Sequence, residues 1–197
     1  MISTRRALVR LAMAAMLTGA LIPGYSQDRS PVVLGFVTPV ASSWGKDVMR
    51  GVDLAVKQVN AAGGINQRPV KVVTYDDLNK PEEGVAAVER LIARDHAKLI
   101  LGSFSSSGSM AQQAVTERYK KVHILSFPQA DSVRDASHPM ASFMNATVGM
   151  TLTTYLESAA NALKPRNVVT LADPSEYGTP RAASLTHTCS QPPPPPI

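Results

Sequence analysis

Residues 102 to 109, GSFSSSGS, place Ser103, Ser105, Ser106, Ser107 and Ser109 between an apolar run, KLILG (98 to 102), and the segment MAQQA. Serines in that density serve one of two chemistries: one of them attacks a substrate, or together they cradle one. A nucleophile elbow needs G-x-S-x-G at a strand-to-helix turn. Ser106 has Gly108 two residues on, but Phe104 stands where the first glycine belongs. A base is also missing, because His96, His123, His138 and His187 show no spacing that pairs one with a serine, and His96 and His123 read as surface or cap residues. A phosphate loop would carry lysine after its last glycine, and Ser109 follows Gly108 instead. The cradle needs less: serines at a helix start cap its free N–H groups, and those groups with the helix dipole attract a carboxylate. Capping without any ligand explains the same spacing equally well. Cys189 is the only cysteine, and nothing in the pattern asks for a metal or another cofactor.

Elements of two kinds must position that run. VVLGFVT (32 to 38), PVKVVTY (69 to 75), KLILG (98 to 102), VHILS (122 to 126) and NVVTLAD (167 to 173) are short, rich in β-branched residues, and read as strands. Helices are expected at 45 to 62, where Val48, Val52, Ala55, Val59 and Ala62 form a stripe, from Pro81, at 106 to 121, and at 151 to 163. Strands separated by single helices predict an α/β fold with a doubly wound parallel sheet covered on both faces. Ligands bind such sheets beyond the carboxyl ends of the strands, which selects residues 38 to 46, 76 to 80, 102 to 109 and 126 to 133.

The ends differ from this pattern. Arg5, Arg6 and Arg10 precede LAMAAMLTGALI, and Gly24-Tyr25-Ser26 offers a cleavage point, so residues 1–26 read as a secretory signal. The adjacent arginines fit a twin-arginine signal or an ordinary charged n-region. Without those residues the net charge falls from +5 to +2, which removes the case for nucleic acid. The last stretch, THTCSQPPPPPI (186 to 197), can form neither helix nor ladder through its prolines, and reads as a polyproline ligand or as the product of a shifted frame.

Several segments resemble the periplasmic leucine/isoleucine/valine-binding proteins, the solute receptors of ABC importers. They are GFVTPVASSWGKD, NKPEEGVAAVERLI, ILGSFSSS, LKPRNVVTLADPSEYG and, most specifically, VNAAGGINQRPVKVVTYDD. The resemblance covers about residues 31 to 183 and implies a type I periplasmic binding fold. It implies a non-enzymatic protein that clamps an amino acid or related carboxylate or amide between two lobes in the periplasm and delivers it to an inner-membrane permease. A ligand-sensing module of a regulator on the same fold is the alternative. Position by position it implies ligand contacts from Trp44, from Ser105, Ser106 and Ser107 with Ser106 on the carboxylate, from Gln129 and Ala130, and from Tyr177. Asp76 and Asp77 are expected to end a strand and cap a loop. The implied domains are a first lobe over 27–148, incomplete without a late-returning segment, the start of a second over 149–185, and the aberrant tail over 186–197. An uncovered apolar sheet face, marginal stability and weak or absent binding are the expected consequences.

Overall fold

A computed structural model describes residues 29–134, 137–165 and 167–190. The proposed signal and the proline run lie outside them. The described chain is an α/β sheet of five parallel strands in the order β2-β1-β3-β4-β5. These are β1 (Val32–Val37), β2 (Val70–Tyr75), β3 (Ile100–Gly102), β4 (His123–Leu125) and β5 (Ala141–Phe143). The helices are α1 (Ser43–Ala61), α2 (Pro81–Ala93), α3 (Ser106–Arg118), α4 (Val148–Leu163) and α5 (Gly178–Ser190).

Local chemistry accounts for their limits. Ser42 caps α1 by accepting the Gly45 N–H at 3.0 Å. Pro81 opens α2, with Glu82 and Glu83 in its first turn, where a proline lacks nothing and acids meet the positive end of the dipole. The segment most specific in the resemblance does positional work: Asn60 at the end of α1 donates to the Val70 carbonyl at 2.9 Å and accepts the Val70 N–H at 2.7 Å. That double bond sets where β2 begins relative to α1.

Successive strand residues face opposite sides of a sheet. On one side Val37 and Ile100, fully buried, pack with Ala87, Val88, Leu91 and Ile92 of α2 and Val115 of α3. A smaller cluster of Leu125, Ala130 and Val133 continues this layer toward β5. On the other side Phe36 and Leu101, with Val48 and Val52 of α1, border an open apolar cavity of about 550 Å³. This face is thus covered by α1 but less closely packed than the other, with Phe36 itself buried. Adjacent residues of β3 should report it: Ile100→Ala should cost about 3 kcal/mol and Leu101→Ala less than about half of that, read by urea denaturation. Equal costs would mean that both faces are equally buried.

Two sequence expectations are corrected. Residues 167–173 form no strand; Val169 and Leu171 are 86% and 94% exposed, and β-branched residues without a neighbouring strand have no ladder to join. In its place β5, ASF, closes the sheet by pairing with β4, too short to carry a periodic signal. α5 continues through Ser190, so the first residues of the 186–197 stretch are helical, with the Thr186 hydroxyl donating to the Ala182 carbonyl at 2.9 Å, and the prolines lie outside the described residues. His123 is no surface or cap residue: it opens β4, beside Ile100 of the central strand β3, faces the helix layer with it, and is fully buried.

Candidate functional site

β1 and β3 are neighbours, paired from Gly35↔Ile100 to Val37↔Gly102. From β1 the chain turns to α1 on one face, and from β3 to α3 on the other. The sheet thus divides beyond Val37 and Gly102, and a crevice opens there as it does at any such topological switch. It holds a cavity of about 480 Å³.

The serine run supplies one wall, with its members doing different work. Ser105 is the N-cap of α3, extended at φ −78° and ψ 147°, and its hydroxyl accepts the Gly108 N–H at 3.1 Å. The Ser109 hydroxyl turns back to the Ser105 carbonyl at 2.8 Å. Ser106 is not needed for the cap. It is 3% exposed, its hydroxyl oxygen accepts the Ala130 N–H at 3.3 Å, and it borders the cavity with Ser105 and Ser107. The hydroxyl proton remains to be donated. The first turn of a helix also leaves the N–H groups of Ser106 and Ser107 without intrahelical acceptors, so donors of one sign converge on this corner.

Phe104 and Phe127 form the second wall, each 39% exposed. Trp44 stands behind them, stacked on Phe104 at 4.2 Å between ring centroids and 29° between planes, and tilted against Phe127 at 5.2 Å. Carboxamides of Asn79, Gln129 and Asn145 complete the near side. The far side comes from the loop before α5, through Asp173, Ser175 and Tyr177. That loop is shaped by Ser175, whose hydroxyl accepts the Tyr177 and Gly178 N–H groups at 3.2 and 3.1 Å. The hydroxyl and N–H of Ser175 also hold the Asp173 carboxyl below its usual range.

Of the residues expected to touch a ligand, Ser105, Ser106, Ser107, Gln129 and Tyr177 border the cavity. Trp44 and Ala130 do not. Trp44 buttresses the ring wall, and the Ala130 N–H is already engaged by Ser106. Asp76 and Asp77 turn the chain as expected, accepting the N–H groups of Leu78 at 2.8 Å and Asn79 at 3.0 Å. Burial raises the Asp77 carboxyl above its usual range. Sequence reasoning missed Phe104 and Phe127, and with them Asn79, Asn145, Asp173 and Ser175. The first two lie inside loops that the strand-end rule selects, and were legible on that ground; Asn145 follows β5 and became a candidate only with that strand. Among the described residues no cluster of histidine, cysteine and acidic side chains could hold a metal.

A doubly wound α/β sheet with a cavity at its switch point, lined by hydroxyls, carboxamides, rings and one carboxylate, has the architecture of a small-molecule-binding lobe. A family profile described as periplasmic binding protein matches residues 31–191, and the chain belongs to that family. An amino acid binding protein of Pseudomonas aeruginosa is 27% identical over 180 residues, 87% of this chain and 46% of the relative. The Leu/Ile/Val-binding protein of Escherichia coli K12 is 24% identical over 172 residues, 83% of this chain and 46% of its own length. A leucine binding protein, LivK, of Thermotoga maritima shares the fold with a TM-score of 0.72 at 18% identity, covering 80% of this chain and 45% of that one. The type I periplasmic binding architecture is thus the one the chain has, and the chain spans about half the length of the relatives it matches.

Proposed function

We propose that this chain is the ligand-receiving lobe of a solute-binding component of an ABC importer, exported to the periplasm, and that it receives an amino acid or a related small carboxylate. Residues 27–148 supply the lobe and 149–185 begin the second wall of the crevice. The observation that carries this reading is Ser106, buried at the amino end of α3 beside the cavity and not consumed by the cap. A carboxylate there meets a hydroxyl, two N–H groups and the positive end of the helix dipole, with no counter-charge brought from a lysine or arginine. Binding would be reversible and would break no bond. The names of the relatives, an amino acid binding protein and a Leu/Ile/Val-binding protein, support the ligand class, and an inner-membrane permease is the partner that such a component requires.

Trp44, the only tryptophan, gives the test. Titration of the full chain with L-leucine and L-phenylalanine should change its emission, and the corresponding amides, which lack the carboxylate, should not. Ser106→Ala should raise Kd about tenfold, the loss of one hydrogen bond to a charged group, while Ser107→Ala changes it less. Amides that bind as well as the acids, or an S106A variant with unaltered affinity and an unaltered circular-dichroism spectrum, would sink the proposal.

A further inference from the structure

We infer that the ligand carries a planar aromatic ring in addition to its carboxylate, and that Phe104 and Phe127 select it. The inference rests on the carboxylate reading above and specifies the other end of the ligand.

Three observations carry it. The first is the composition of the wall. The apolar side chains bordering the cavity are Phe104, Phe127 and Tyr177, and no leucine, isoleucine, valine or methionine borders it among the described residues. A pocket shaped for a branched aliphatic chain gains from interlocking methyl groups, whereas rings prefer the face or edge of other rings. The second is exposure. Phe104 and Phe127, with ring centroids 6.3 Å apart at 53°, are each 39% exposed although both pack on Trp44; Phe104 borders this cavity, and Phe127 borders it and the apolar cavity beside α1. Clustered rings held half open at the mouth of a crevice mark a place that something apolar is meant to cover. The third is stiffness. Trp44 stacks on Phe104 and tilts on Phe127 from behind, so the wall is braced in position and a ligand ring meets it with little ordering cost.

The polar groups fit the same occupant. With Ser106 holding the carboxylate at one end, the amide of Asn145, the Ser175 hydroxyl and Tyr177 face the remainder. Asp173 is the one carboxylate on the wall among the described residues. It distinguishes two sources of the same chemistry, since an aromatic α-amino acid brings an ammonium for it and a hydroxybenzoate does not.

Isothermal titration calorimetry on the full chain, with Trp44 emission as a second readout, tests this with four probes: L-phenylalanine, 4-hydroxybenzoate, L-leucine and benzyl alcohol. At least one ring-bearing acid should bind about tenfold more tightly than L-leucine, the gain that two ring contacts add beyond buried area. Preference between the two ring acids then identifies the source. Phe104→Leu and Phe127→Leu keep an apolar group of similar size and change partly exposed positions. Each should reduce the ratio severalfold, and the pair should bring it to within about twofold, with L-leucine affinity little changed. L-leucine binding as tightly as either ring acid, or a preference that survives both substitutions, overturns the inference and leaves the carboxylate reading standing. Benzyl alcohol binding as well as the acids overturns the carboxylate reading. A folded chain that takes up none of the probes overturns both.

Discussion

Gly102→Val is expected to leave little folded protein. Gly102 ends β3 at φ +116°, in the region that side chains disfavour, and it is buried beside β1, where a Cβ would fall on the Val37 carbonyl oxygen. The backbone conformation alone costs about 1–3 kcal/mol for a residue with a side chain. The collision adds to it, because the group that must yield is the backbone of β1, held between β2 and β3, rather than the flexible end of a side chain. Val37 cannot retreat freely, since it is fully buried against α2. Together these should remove roughly 4 kcal/mol or more, a large part of the 5–15 kcal/mol that keeps an ordinary domain folded. Gly51 provides the opposite control. It lies inside α1 with nothing within 4 Å of where its Cβ would be, so Gly51→Ala should stabilise by about 0.5–1 kcal/mol through helix propensity. Urea denaturation of the two variants decides the matter, and a Gly102→Val protein within 1 kcal/mol of the parent, about the uncertainty of the extrapolation, would refute this reading of the switch point.

The second large effect is one of pH. His123 is fully buried in β4, both ring nitrogens lack a hydrogen-bond partner among the described residues, and burial lowers its pKa from 6.5 to about 4. The neutral ring is the form that the fold accepts. As pH falls below 6.5 the unfolded chain takes up a proton that the folded chain refuses, so stability is lost progressively between pH 6.5 and about 4. The full loss over that window is about 3 kcal/mol. Asp77 works in the opposite sense: with its carboxyl raised above 3.8 by burial, the folded form gains as pH falls from that raised value toward 3.8. The histidine contribution is therefore read as a difference between the parent and His123→Leu, which places an apolar group where two desolvated nitrogens stood. The variant should be at least as stable near neutral pH and should lose most of the slope between pH 6.5 and 4. A slope retained in full would assign it to other groups.

These two residues also show how far the sequence could be read. Gly102 is visible in ILGSFSSS as the end of a strand, but its positive φ and its distance from Val37 arise only when β1 and β3, more than sixty residues apart, become neighbours. His123 opens an apolar run, and nothing in VHILS tells which alternate residues face the helices. The strand NVVTLAD failed for the related reason that composition records a preference for pairing and not the presence of a partner, whereas ASF, with no preference to display, was recruited by the exposed edge of β4. The serine run shows the division at the site itself: its types and position predicted a helix start with an anion-attracting turn, but not which serine caps.

The sequence by itself determined the alternation of strands and helices, the parallel doubly wound sheet that follows from it, and most of the strand-end loops that border the cavity. All of these depend on local periodicity and on chain connectivity, which are written along one dimension. The family resemblance singled out Ser106 and Tyr177, but only the tertiary structure decided that Ser105 caps the helix, that Trp44 supports a wall made by Phe104 and Phe127, and that Asp173 and Ser175 join Tyr177 on the far side. Those assignments rest on contacts between segments distant in sequence, where a shift of a single residue moves a side chain to the other face.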